Sequence, residues 1–163
     1  MTASSGSLWD FSLSLYTASG VESVCLRMQD NFQARVTILL WCCWLEVRNV
    51  HLTPARLAQA QQRLAPWDDT VIKPLRQLRR EIRQQYGVDE EAIEACRQKI
   101  KSAELAAEQV ALSWLESLSC EWEAAPAPVR RGENAECYLR ILKVPDRMIG
   151  ETVATLSCIS GIG

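Results

Sequence analysis

The sequence predicts an all-α protein: a single compact domain of about six helices with a long antiparallel helical hairpin. Three observations carry this reading. Apolar residues recur at spacings of three and four along most of the chain. Residues that start or stop helices fall between those stretches. The one segment that alternates like a strand, Trp9 to Leu15, finds no second segment to pair with. At 163 residues the chain is long enough for one core and short for two. Its 48% hydrophobic and 23% charged residues are ordinary for a globular protein and unlike a disordered chain.

The elements follow in order. Leu8, Phe11 and Leu15 share one helical face, so the opening segment reads as a helix that ends at Ser19-Gly20. Val21, Val24, Cys25, Met28 and Phe32 set a second helix, with Glu22 where a negative charge suits the helix dipole. A third, about Arg35 to Arg48, holds the run TILLWCCWLEV; being apolar nearly all round, it belongs at the centre of the core. Thr53 as N-cap and Pro54 at the first helical position start a fourth, ended by Pro66. Val71, Leu75, Leu78, Ile82 and Tyr86 then form a helical stripe in which Pro74 is a kink or a restart.

Gly87 suits the left-handed residue after that helix, Asp89 the next N-cap, and Val88 a hydrophobic staple on Ile93. The second arm of the hairpin, about Asp89 to Ser119, carries a seam of Ile93, Cys96, Ile100, Ala103, Ala107, Val110 and Trp114, which wants a partner helix. Past Trp122 the stretch EAAPAPVRRGE reads as a linker. A short helix from about Asn134 to Lys143 follows, then a tail of weak periodicity. The expected organisation is a helical domain over residues 1–122, with 123–163 a linker and short C-terminal helical segment packed on it.

Charge narrows the function classes. The net charge of -2 and pI near 5.5 give no general attraction to nucleic acid or an anionic membrane. The hairpin arms differ, however: Arg48 to Tyr86 holds eight basic and three acidic residues, Asp89 to Glu123 three basic and nine acidic. Lys73, Arg76, Arg80 and Arg83 fall in one stripe with Arg79 beside it. That stripe is either an anion site or a solvated face partly paired with Glu94, Glu104 and Glu108; Lys73 and Arg83 are its candidate partner-facing residues. No aromatic residue interleaves the arginines to stack on bases, which disfavours nucleic acid.

No Lys or Arg precedes Arg27, and Asp10 interrupts the apolar start, which argues against a signal peptide. The longest apolar run, Val36 to Leu45, falls short of the roughly 20 residues that span a bilayer. Seven cysteines without a C-x-x-C pair read as reduced thiols, so the expected compartment is the cytoplasm.

Candidate chemistry is sparse. His51 is the only histidine, in a loop before a helix cap, and no nucleophile elbow, P-loop or dinucleotide fingerprint occurs. Glu104 and Glu108 form half of a carboxylate metal site whose other half, Glu-x-x-His, is missing. The reading leans away from an enzyme and expects no catalytic residue, metal or cofactor. Cys42 and Cys43 point about 100° apart on a helix, so they read as filling around Trp41 and Trp44 rather than as ligands. Asp10, between Trp9 and Phe11, needs a partner if it is buried. One of Arg76, Arg79 or Arg80 could supply it, as a structural ion pair or as the floor of an anion pocket.

The pieces LWDFSLSLY, Gly20-Val21, CLRMQD, VTILLWCCWL, Trp67 with Val71, PLRQLRR and AELAAEQ together resemble a family of short bacterial proteins of unknown function. The resemblance covers roughly the first two thirds of the chain. It implies a helical cytoplasmic protein and no activity, and it draws attention to Trp9, Asp10 and Phe11 with Trp67, Arg76, Arg79 and Arg80. Gln33 departs from it where a glycine is expected. The function expected first is a protein-interaction or regulatory module, with a protein partner or self-association. The alternative is a small-molecule or lipid-binding protein, conceivably an enzyme, with an anion pocket near Asp10 and Arg76, Arg79 and Arg80. Weak nucleic-acid binding through the arginine stripe is third.

Overall fold

The computed structural model describes residues 6–157; Cys158 lies outside them. The described residues form helices α1 (Leu8–Tyr16), α2 (Val21–Phe32), α3 (Val36–Val47), α4 (Pro54–Trp67), α5 (Lys73–Tyr86), α6 (Glu91–Ser119), α7 (Glu133–Ile141) and α8 (Asp146–Ser157), with a π-helical turn over Asp68–Ile72 between α4 and α5. They contain no strand, and no helix among them is long and apolar enough to cross a membrane.

The centre is α3, packed on α1, α2, α6 and α7. Its ten residues from Thr37 to Glu46 are all buried, as expected of a helix with no polar face. Trp41 donates Nε1–H to Ser119 Oγ at 3.0 Å, and its ring meets Trp122 with centroids 5.6 Å apart. Cys42 and Cys43 are buried beside it, and burial pushes both thiols well above the ordinary range. They are neutral packing atoms.

Local chemistry sets the ends. Ser7 accepts from Asp10 N–H and donates Oγ–H to Asp10 Oδ2, so the first turn of α1 is closed on both sides. Gln33 ends α2 with φ 56°, the left-handed conformation a glycine would take at little cost. The turn before α3 thus holds a glutamine in a conformation that suits glycine.

The α4–α5 junction departs from expectation. Pro66 does not end α4; the chain runs through it to Trp67, widens into the π turn and re-forms as α5 with Pro74 in its first turn. Each proline lacks an N–H and crowds a carbonyl one turn earlier. The wider π turn, where Lys73 N–H bonds to Asp68 C=O, gives Pro74 room without breaking the helix. At the hairpin turn Gly87 has a positive φ of 70°, but with ψ -153° it is extended rather than in the left-handed helical conformation; the N-cap is Glu90 rather than Asp89, and Val88 is exposed.

The predicted seam of α6 holds only in part. Ala107 is buried, while Cys96 and Ala103 are exposed. The buried face is Glu104, Ala107, Ala111, Leu112, Leu115 and Ser119. A straight heptad seam serves one partner. Here α6 pairs with α5 and also packs on α1, α3 and α4, so its buried face turns toward the body.

Beyond the Pro-rich stretch α7 packs on α3, and α8 packs on α2 and α7. The weak periodicity of the tail had hidden α8. The docking point of α7 is Glu46, whose carboxylate accepts from Gly132 N–H at 2.7 Å and Asn134 N–H at 2.9 Å at the start of the helix. Burial still pushes that carboxyl up. Asn134 in turn donates to Val50 C=O and accepts from Leu52 N–H, both at 2.9 Å. Gly132, at φ 84°, has Val153 Cγ1 where a Cβ would lie, so only glycine fits.

Candidate functional site

A groove of about 350 Å³ opens where α1, α2 and α3 face the α5–α6 hairpin. One wall is apolar: Trp9, Leu13 and Tyr16 of α1, Leu26 of α2 and Leu40 of α3, continued by Leu105 and Leu112 of α6. The opposite wall is charged, with Arg76, Arg79 and Arg80 from α5 and Lys101, Glu104 and Glu108 from α6. The amphipathic pattern of each helix produces this division. α1 turns Leu8, Ser12 and Leu15 inward and leaves Trp9, Leu13 and Tyr16 along the groove.

The charged wall is paired internally. Glu104 is buried and takes Arg76 Nε at 3.0 Å and Arg79 Nε at 2.6 Å on separate oxygens. Glu108 takes Arg76 Nη2 at 3.0 Å. Arg80, nearer solvent, reaches across to Asp30 of α2 at 2.9 Å. Burial pushes the Glu108 carboxyl up against the pull of Arg76, and burial likewise raises the Tyr16 phenol. Ser12 lines the groove floor at 3% exposure, and its hydroxyl has no hydrogen-bond partner, which is uncommon for a buried polar atom.

Of the residues singled out in the sequence, Trp9, Arg76, Arg79 and Arg80 line the groove together. Asp10 does not. It is exposed and bonded to Ser7, so it needs no arginine and supplies no floor to a pocket. Trp67 lies elsewhere, donating Nε1–H to Ala107 C=O at 2.9 Å and packing edge-on against Trp114. Lys73 lines a neighbouring polar chamber, and Arg83 is exposed near the hairpin turn. Glu104 and Glu108 pair with the basic arm as anticipated, whereas Glu94 pairs with Arg97 of its own helix. His51 is exposed in the α3–α4 loop, with Nδ1 3.9 Å from Glu133.

Sequence reasoning missed Ser12, Leu13, Tyr16 and Leu105 as groove residues. The signal available was the alternation in LWDFSLSLY: it records a helix with two apolar faces, one toward the core and one toward the groove. The arrangement can bind; it pairs no nucleophile with a base. Among the described residues no three His, Cys, Asp or Glu side chains gather as metal ligands.

A family profile described as "protein of unknown function (DUF2390)" matches residues 7–115, which takes in every residue that lines the groove. No curated protein and no solved structure matches the chain.

Proposed function

The chain belongs to this family, whose description carries no activity, and from its own geometry we propose that it is a binding protein for a small amphipathic molecule, held in the groove between α1 and the α5–α6 hairpin. The observation that carries this is the groove itself, an apolar trough of about 350 Å³ facing ion-paired arginines, with the unpartnered Ser12 hydroxyl on its floor. An apolar body fits against Trp9, Leu13 and Leu105, and a polar group answers Ser12 or Arg80. Free buried thiols at Cys25, Cys42 and Cys43 support a cytoplasmic setting.

Isothermal titration with octanol as a neutral apolar probe tests the groove. Saturable binding is expected, weakened about fivefold or more by Leu105→Asp, since the substitution removes apolar surface from the trough and a bound ligand would cover the new charge. Leu105 is 48% exposed, so the variant should fold normally. Absence of saturable binding, or an unchanged affinity in Leu105→Asp, rejects the reading.

A second reading, the protein-interaction role, is supported by the far end of the hairpin, where Leu78, Tyr86 and Val88 are exposed at 46%, 62% and 49%. Sedimentation at rising concentration, with affinity capture, tests it; a strict monomer that captures nothing reproducible rejects it.

A further inference from the structure

The apolar groove has a polar neighbour. A chamber of about 310 Å³ lies where α3 begins and the π turn passes it, lined by Arg35, Thr37, Asp68, Lys73, Arg76 and Glu108 among others. The two cavities share Gln29, Val36, Thr37, Arg76 and Glu108, so the Arg76–Glu108 pair stands at their boundary.

Three cationic side chains line the chamber. Arg35 engages Asp68 through Nε at 3.0 Å, leaving both terminal guanidinium nitrogens available. Arg76 engages Glu104 and Glu108 through Nε and Nη2, leaving Nη1. Lys73 Nζ is 3.6 Å from Asp68 and 2.6 Å from Asp69. α3 starts here with no side-chain cap and no acidic residue in its first turn, so its first N–H groups add to the same supply. The Asp68 carboxylate is already held between Arg35 and Lys73. The Glu108 carboxylate is likewise held by Arg76 at 3.0 Å. The chamber thus sets three cations, Arg35, Lys73 and Arg76, against the two carboxylates of Asp68 and Glu108, each already engaged by at least one of those cations.

We propose that this chamber is the head-group site for an oxyanion, carboxylate or phosphate, of an amphipathic ligand whose apolar part occupies the adjoining groove. The proposal rests on the groove reading and names the ligand class: an anionic amphiphile. The π turn is what makes the site, since it carries buried Asp68 inward to fix Arg35 and sets Lys73 at the rim. A head group at Arg35 and Lys73 leads its chain past Arg76 toward Leu40 and Trp9.

Octanoate, octyl phosphate and octanol, titrated separately, test it. Both acids are expected to bind about tenfold or more tighter than octanol, the scale of one charge-assisted hydrogen bond. Lys73→Gln, at an exposed residue, should weaken the acids about fivefold and leave octanol unchanged. The tighter of the two acids assigns the head group as carboxylate or phosphate monoester. Equal affinity of octanol and the acids, or acids indifferent to Lys73→Gln, overturns the head-group site and leaves the groove reading standing. No binding of any probe overturns the groove reading and this proposal with it.

Discussion

Helices α3 and α5 have similar lengths, twelve and fourteen residues, and opposite relations to solvent. α3 buries everything from Thr37 to Glu46, whereas α5 buries no residue fully. One is held mainly by apolar contact, with Glu46 bonded to the start of α7. The other leans on α6 through a single seam and is fastened by Arg76 and Arg79 to Glu104. The groove lies between these regimes, so one wall is fixed by close packing and the other is positioned by charge. Close-packed walls keep their shape, while an ion-paired wall can exchange its partners for those of a ligand.

The largest expected effect breaks the packed side. Trp41→Ala removes a fully buried ring and its bond to Ser119, which should cost about 3–5 kcal/mol. Urea denaturation followed by circular dichroism would show it as a lower midpoint for the whole molecule. A loss under about 1 kcal/mol would mean that α3 is not the centre of the core.

A smaller and more local effect belongs to the charged side. Glu104→Gln leaves Arg76 and Arg79 without their shared carboxylate. Because those arginines keep partial solvent access, at 16% and 23% side-chain exposure, the cost should be about 2–3 kcal/mol, below that of a fully buried pair. The contrast with α3 predicts where the loss appears. Amide hydrogen exchange should quicken across residues 73–86 and stay slow across 37–46. Equal loss of protection in both segments would show that the hairpin and the body are one cooperative unit.

How much of this was legible in the sequence follows the same division. α2 and α3 could be read because apolar spacing or an unbroken apolar run specifies burial directly. The Arg76–Glu104–Glu108 contacts could be anticipated from opposite charges on adjacent arms. Asp10 misled, because a carboxylate between two aromatics looks buried, while its real role depends on Ser7 three residues earlier as a helix cap. Pro66 misled as well, because a proline usually stops a helix, yet α4 runs through it into the π turn. The polar chamber was legible only in Lys73 and Arg76, members of the basic stripe. Arg35, Asp68 and Lys73 meet only once the chain has folded from α3 to the π turn, and no local spacing encodes that meeting. In the C-terminal part α7 was read from the sequence, and Glu46 held the clue to where it docks: a glutamate in a helix with no polar face needs a partner.

The smallest expected effect sharpens the comparison from the solvent side. Leu78 and Tyr86 belong to the apolar stripe of α5, yet they are 46% and 62% exposed, because a two-helix hairpin cannot cover both flanks of its seam. If α5 is held mainly by charge and by its inner seam, Leu78→Ser with Tyr86→Ser should change stability by no more than about 0.5 kcal/mol per site. Octanol affinity should be unchanged, since neither residue lines the groove. Thermal denaturation of the double variant at two protein concentrations separates the readings. A concentration-independent midpoint in both wild type and variant marks these residues as plain surface. A wild-type midpoint that rises with concentration, and a variant midpoint that does not, marks the hairpin end as the contact between copies.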